Sequence, residues 1–367
     1  MQPVPENKRE LRHGYTTGAC AAAATKAALT ALILQEYQES SCIRIPIGTD
    51  VTFTIVQCEY TEEMAEAGVI KDGGDDPDAT HGALILSKVT WRDEPGIKLD
   101  GGIGVGRVTK PGLPVPVGEA AINPVPRQMI LQEVESLLGQ FELDRGLEVI
   151  ISVPNGEEIA KKTLNSRLGI LGGISILGTR GIVVPFSTSA YMASIARGID
   201  VAYESGCRHL VLSTGGRSEK FAMEQYPELP EEAFIEMGDF VGFSLKQCKR
   251  KKIERVTLVG MMGKFSKFAQ GHMMVHSKGN AVDFNFLAQI AREAGATEEM
   301  IAHILECNTA SQVGDYMEQY PQFYEKLCEY CCHVGLKAVQ GGIEIETYLI
   351  TLKGVLLGRM SVHDRAD

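Results

Sequence analysis

Four aspartates and a histidine fall within ten residues, in Asp72-Gly73-Gly74-Asp75-Asp76-Pro77-Asp78-Ala79-Thr80-His81. Carboxylates crowded this closely can raise one another's pKa and serve as acid or base. They also suit a hard cation, but the spacing is not that of an Asp-x-Asp-x-Asp-Gly calcium loop with its closing Glu. A solvated loop whose aspartates make turns accounts for the same residues. His272 and His276 are four apart and share a face if the segment is helical, with Asp283 the nearest third ligand. Cys328-Glu329-Tyr330-Cys331-Cys332-His333 sits in a helical pattern with no second Cys-x-x-Cys. Neither group completes a zinc set, so no metal site is assigned.

Glycine-marked turns carry the binding chemistry. Gly14-Tyr15-Thr16-Thr17-Gly18 feeds a run from Ala21 to Leu34 that should be helical, because alanine is the best helix former. Thr16 or Thr17 can cap that helix, and its first N–H groups make a ready anion site. Ser213-Thr214-Gly215-Gly216-Arg217-Ser218-Glu219 follows an apolar strand, where an open parallel sheet exposes a ligand site. Lys110 and Arg127 stand on a proline-rich segment, 108–127, whose rigid path suits them to meet substrate carboxylates. Five glycines within 164–181 let backbone approach a ligand closely, without the Gly-x-Gly-x-x-Gly fingerprint of dinucleotide sites.

The elements that must position these residues read in three stretches. The first is α+β: the alanine helix, β-rich runs at 42–47 and 51–56, a strand at 83–91, a glycine-punctuated strand pair within 97–110, and a helix from Pro124 to Leu138 capped by Asn123. From Gly146 the pattern changes. Apolar runs at 147–153, 181–184, 210–213 and 256–259 alternate with helical patterns such as 189–204 and 242–252, as in a parallel sheet. A long helix, 322–339, and strands at 343–350 and 355–357 then look α+β again. The expected architecture is α/β plus α+β: a parallel-sheet α/β domain (146–309) inserted into a discontinuous α+β domain (1–145 and 310–367). The last strands would rejoin the first sheet. The 367 residues are 44% hydrophobic, enough for a sizeable core, and the formal net charge of -11 argues against a nucleic-acid partner. An anionic substrate would need local clusters of Arg and Lys. The polar start, the lack of an apolar run expected to cross a bilayer and nine irregularly spaced cysteines suggest a reduced, cytoplasmic protein with no membrane partner.

Taken together, these strings resemble one family, the cobalt-precorrin-5B C1-methyltransferases, the CbiD enzymes of anaerobic cobalamin biosynthesis. The matching segments are GYTTGACAAAATKAA (14–28), KDGGDDPDATHGA (71–83), GGIGVGRVTKPGLPVPVGEAAINPVPRQMI (101–130), LNSRLGILGGISILGTRGIV (164–183) and STGGRSE (213–219). VGFSLK (241–246), LVGMMGKFSKFAQG (258–271) and HS (276–277) also fit, in the family's order. Ala19 departs from the small hydroxyl residue usual there. The resemblance implies methyl transfer from S-adenosylmethionine to ring carbon C1 of cobalt-precorrin-5B, giving cobalt-precorrin-6A, with cobalt present only in the substrate. It also implies the inserted α/β domain.

For that chemistry His81, with Asp75, Asp76 and Asp78, is the candidate catalytic set, and His276 the second candidate. S-adenosylmethionine is expected at Thr214, Gly215, Gly216 and Arg217 and at Gly260 to Gly263, with Asp239 on its ribose hydroxyls. Substrate carboxylates are expected at Arg107, Lys110, Arg127 and Lys264, and at the helix start formed by Tyr15, Thr16, Thr17 and Gly18. A homo-oligomer and contact with other pathway enzymes stay open. Two rival classes remain: a corrinoid-binding protein that hands its ligand to a partner enzyme, and a metal-dependent hydrolase built on the aspartates.

Overall fold

Alanine's small side chain decides the centre of the first half of the chain. The computed structural model describes residues 11–276 and 281–363, and the chain divides into two units, Met1–Ser187 and Thr188–Asp367. In the first unit β1 (Gly14–Tyr15) runs into α1 (Thr17–Leu34). A hairpin of β2 (Ser40–Arg44) and β3 (Asp50–Thr54) follows, then β4 (Gln57–Tyr60), β5 (Met64–Ile70), β6 (Leu84–Arg92) and β7 (Ile97–Gly101). Next come β8 (Gly104–Val105), β9 (Arg107–Val108), α2 (Pro124–Gln140), β10 (Gly146–Ser152) and α3 (Gly156–Ala160). β11 (Ile170–Leu171), β12 (Gly173–Ile174) and β13 (Ile182–Val183) complete the unit.

Its main sheet has the order β4-β5-β6-β10-β7, antiparallel except for the parallel β10–β7 pair. α1 packs against β5, β6 and α2, and the alanines at 21–24, 27, 28 and 31 are all buried there. Thr25 Oγ1 and Ser87 Oγ hydrogen-bond at 2.8 Å, tying helix to sheet. On β6 Ile85, Ser87 and Val89 are buried while Lys88 is exposed, the alternation of a half-buried strand. By length and composition α1 could cross a bilayer, contrary to the expectation that no run would. It is instead a core helix, with 78% of it buried in the protein.

The second unit opens with α4 (Thr188–Glu204), β14 (His209–Ser213), α5 (Gly216–Gln225), β15 (Phe234–Glu236), α6 (Val241–Arg250), β16 (Arg255–Met261) and α7 (Met262–Ala269). Four helices follow: α8 (Phe284–Glu293), α9 (Glu298–Leu305), α10 (Ala310–Tyr316) and α11 (Pro321–Val339). β17 (Glu344–Ile350) and β18 (Leu356–His363) close it. The sheet order is β15-β14-β16-β17-β18, parallel except for β18. From β14 the chain moves outward to β15, then crosses back to β16 and on to β17. The connections after β14 and β16 therefore leave in opposite directions, which makes the gap between their carboxyl ends a topological switch point.

This topology corrects the expected insertion. β17 lies parallel to β16 through seven partnered positions, Arg255↔Glu344 to Met261↔Ile350, so the last strands extend the second sheet and do not rejoin the first. β10, expected to open the α/β domain, sits between β6 and β7 of the first unit. The supposed strand pair within 97–110 is three strands with three different partners: β7 with β10, β8 with β12 and β9 with β11.

At the amino ends of the second sheet Glu346 is fully buried. It accepts from Tyr226, from Arg255 at 2.7 Å, from Arg359 at 2.6 Å and from Thr257 at 3.0 Å. His209 hydrogen-bonds Thr257 at 2.8 Å beside them. Burial, then the charge of Arg255, push its pKa down to about 4. The network lies at the opposite end of the strands from the switch point and reads as structural. Its pH signature is definite. The fold holds the imidazole neutral down to about pH 4, whereas the unfolded chain takes up the proton near 6.5. Stability is therefore intact above about pH 6.5 and falls on the order of 3 kcal/mol as pH drops through about 4. Urea unfolding from pH 7 to about 5 should show the onset of this loss, and His209→Gln should flatten it.

Candidate active site

At the switch point lies a cavity of about 1330 Å³. Ordinary small-molecule pockets hold roughly 300–1,000 Å³, so this one has room for more than one small ligand. The turn after β14 supplies Thr214, Gly215, Gly216 and Arg217; the segment after β15 supplies Asp239; the start of α7 supplies Gly263 and Lys264, and its last turn Lys267. Val275 and His276 line it, as do Asn308, Thr309 and Asp315 around α10, Tyr324 of α11, and Thr351, Leu352, Lys353 and Val355 between β17 and β18. Among the described residues four cations, Arg217, Lys264, Lys267 and Lys353, stand against three carboxylates, Asp239, Asp315 and Glu318. In a chain of net charge -11 this is a local concentration of positive charge.

The turns are open for a physical reason. A Cβ added at Gly215, Gly216 or Gly263 would meet no protein atom within 4 Å, so no packing demand of the fold explains these glycines. The first residues of α5 and α7 line the cavity, where helix N-termini favour negative groups. Lys264 Nζ donates to the Thr214 carbonyl at 3.0 Å and lies 3.1 Å from Asp239 Oδ1, so one ammonium fixes the β14 and β15 turns together. Burial, then the charge of Glu236, raise the phenol of Tyr191 to about 12; its ring stacks obliquely on Phe240, with centroids 5.5 Å apart, beside the Asp239 segment.

Of the residues expected to bind the donor, Thr214, Gly215, Gly216, Arg217, Asp239 and Gly263 share this one cavity. Gly260 does not. It lies in β16, where a Cβ would fall 2.6 Å from the Phe265 ring, so its glycine serves packing. Lys264, expected to clamp substrate, is paired inside the site. His276 lines the cavity, but not as a helical partner of His272: α7 ends at Ala269, and Gly271 turns at φ 97°. Among the described residues no three His, Cys, Asp or Glu side chains group as a metal site.

The aspartate–histidine segment lies in the first unit, and its groups are engaged by different donors. Arg12 forks onto Asp72, whose pKa that guanidinium and the Gly74 N–H bring down to about 2. Asp75 accepts the Arg12 N–H at 2.7 Å and Asp76 the Phe186 N–H at 2.8 Å. Burial raises the Asp78 carboxyl, but Lys71 and Thr80 outweigh it and hold the group below its ordinary range. His81 Nδ1 accepts the Gly73 N–H at 3.0 Å, which leaves Nε2 as the protonated atom of the neutral ring. Of the expected catalytic set, three carboxylates thus pin a loop and His81 presents a donor in this structure. His81→Ala should keep kcat within about twofold, because loss of a general base costs about 10²–10⁴-fold. A steady-state assay showing a drop beyond roughly tenfold would return His81 to the mechanism.

The helix start at residues 15–18 is likewise filled from within. Leu177 O accepts the Gly18 N–H at 3.0 Å, Thr16 Oγ1 accepts that of Ala19 at 3.2 Å, and Thr17 Oγ1 accepts the Leu177 N–H at 2.9 Å. Tyr15 pairs with Ile182 and packs edge-on against Phe53. Thr16, Thr17 and Gly18 are buried, so no ligand carboxylate reaches these donors. Of the glycines of 164–181, Gly173 brings backbone to backbone: a Cβ there would lie 2.1 Å from Gly104 O. Arg107 pairs with Asp100 at 2.9 Å and Arg127 with Glu119 at 3.4 Å on the surface of the first unit. The stem of Lys110 crosses Gly169.

Sequence reasoning missed Lys267, the α10 residues and the rim at 351–355. Thr309-x-x-Gln312 was readable as a capping box, and the structure forms it. Lys267 lies between Ser266 and Phe268, both buried, in a helix that also carries Lys264, so no local pattern singled it out.

Residues 4–185 match the CbiD family and residues 274–361 the family CbiD, C-terminal domain. The first match ends within two residues of the boundary between the structural units. The cobalt-precorrin-5B C(1)-methyltransferase of Priestia megaterium is 62% identical over 365 residues, covering 99% of this chain and 100% of that protein. The protein of the same name from Geobacillus kaustophilus (strain HTA426) is 64% identical over 364 residues, covering 99% and 98%. That from Paraburkholderia phytofirmans is 45% identical over 362, covering 97% and 99%. A crystal structure of a cobalamin biosynthesis protein (cbiD) from Archaeoglobus fulgidus aligns with 28% identity over 78% of this chain and 85% of that one, at a TM-score of 0.39. By full-length identity to these relatives, the chain belongs to the CbiD family of cobalt-precorrin-5B C(1)-methyltransferases.

Proposed function

We propose that this protein transfers a methyl group from S-adenosylmethionine to ring carbon C1 of cobalt-precorrin-5B, giving cobalt-precorrin-6A in anaerobic cobalamin biosynthesis. The relatives' names support the reaction. The observation that carries the reading is the switch-point cavity with its unoccluded glycine turns. The sulfonium supplies a methyl group already activated for transfer, so the protein's task is alignment. Gly215, Gly216 and Gly263 leave backbone bare for the donor, and Asp239, held by Lys264, is placed to accept ribose hydroxyls. The outer wall suits a flat macrocycle fringed with carboxylates. Leu352 and Val355, 63% and 58% exposed, give it an apolar seat, with Lys353 between them in sequence. As the new C–C bond forms and the C–S bond breaks, His276 is the cavity residue suited to relay a ring proton. Cobalt enters as part of the substrate.

The test is transfer of a ¹³C-methyl label from the donor to cobalt-precorrin-5B. Label at C1 establishes the reaction. Tight macrocycle binding with no label would favour the carrier reading.

A further inference from the structure

Lys267 is 5% exposed and lines the cavity. Among the described residues its ammonium donates to one group, the His276 carbonyl at 3.2 Å. Among the described residues no carboxylate lies within ion-pair distance of it. The other α7 lysine of the cavity, Lys264, has Asp239. A buried cation without a counter-charge opposes folding, since one carbonyl replaces neither its water nor an anion. Such a residue is retained where a ligand completes it. Lys267 itself stands in the last turn of α7, but the first residues of α5 and α7 line the same cavity and favour an anion in it.

We infer that Lys267 is the fixed counter-charge for a ligand carboxylate in this cavity. The inference rests on the methyltransferase reading for the identity of the ligand but not for the charge. Two carboxylates have the required chemistry: that of the donor's amino-acid end and those on the macrocycle's periphery. When either binds, the Lys267 ammonium keeps the His276 carbonyl and gains an anionic partner. This places the 271–276 segment, and His276 with it, against the bound ligand.

The test uses the full-length protein and Lys267→Met, which keeps the length of the side chain and removes its charge. Ligand-free, Lys267→Met should melt at or above the parent's temperature, because an uncompensated buried charge has gone. A clear fall in melting temperature would show a structural lysine and overturn the inference. Calorimetry then identifies the ligand. If the donor carboxylate is the partner, Lys267→Met binds S-adenosylmethionine about 10–100-fold more weakly, and decarboxylated S-adenosylmethionine binds both proteins alike. If the macrocycle supplies it, a cobalt-corrinoid polycarboxylate loses affinity by a similar factor while its methyl esters do not. Unchanged affinity for both carboxylate ligands, within about twofold, overturns the inference. If the parent binds neither ligand, the methyltransferase reading and the counter-charge assignment both fail, whereas binding that Lys267→Met leaves unchanged overturns the assignment alone.

Discussion

Gly216→Ala and Gly263→Ala will leave the protein at least as stable as the parent and will weaken S-adenosylmethionine binding. Both residues are the first or second of a helix, α5 or α7. Neither has a positive φ, and a new Cβ at either would meet nothing within 4 Å. Alanine in a helix is favoured over glycine by up to about 1 kcal/mol, so the melting temperature should hold or rise. The space the methyl group would fill is cavity space. If the donor lies there, overpacking costs about 1–3 kcal/mol, a loss of about 10–100-fold in affinity, with Gly216→Val at the upper end. Stability and affinity are thus expected to move in opposite directions. Calorimetry beside a thermal melt checks both, and unchanged affinity in all three variants would place the donor elsewhere.

Asp78→Asn will produce the opposite pattern: a large loss of stability with little effect on chemistry in the molecules that remain folded. Asp78 forms the ion pair with Lys71, whose side chain is 1% exposed. It also accepts from the Thr80 N–H at 2.7 Å and the Thr80 hydroxyl at 2.6 Å, closing the 71–82 loop. Removing one partner of a buried pair leaves the other charge uncompensated, at a cost of about 3–5 kcal/mol. Chemical denaturation should show that loss in the first unit. A catalytic Asp78 would instead lower kcat at unchanged stability. Asp76→Asn, which removes charge from an exposed loop and keeps an acceptor for the Phe186 N–H, is the matched control.

What the sequence revealed follows from how local each signal is. The turn after β14 was legible because an apolar strand, two glycines and a helix start follow one another in seven residues. α1 was legible because alanine favours helix whatever surrounds it. Strand partnership was not legible. β10 and β17 are both short apolar runs, and which sheet each joins depends on pairings across the chain that no local pattern encodes. The engagement of the aspartate cluster was not legible for a related reason. Its composition suggested proton chemistry, but the partners that decide its role, Arg12, Lys71 and Phe186, lie outside the run or at its edge. The same holds for the helix start at 15–18, where the Gly18 N–H is met by the Leu177 carbonyl, about 160 residues away. The cavity wall from 308 to 324 and from 350 to 357 came from elements whose nearness to β14 is purely tertiary.

Calorimetric titration of S-adenosylmethionine into the full-length protein, alone and with a cobalt-corrinoid analogue present, tests the central claim most directly. The account predicts micromolar binding that Gly216→Val weakens about 100-fold. Corrinoid binding with no uptake of S-adenosylmethionine in either condition would contradict it and leave a macrocycle carrier in place of a methyltransferase.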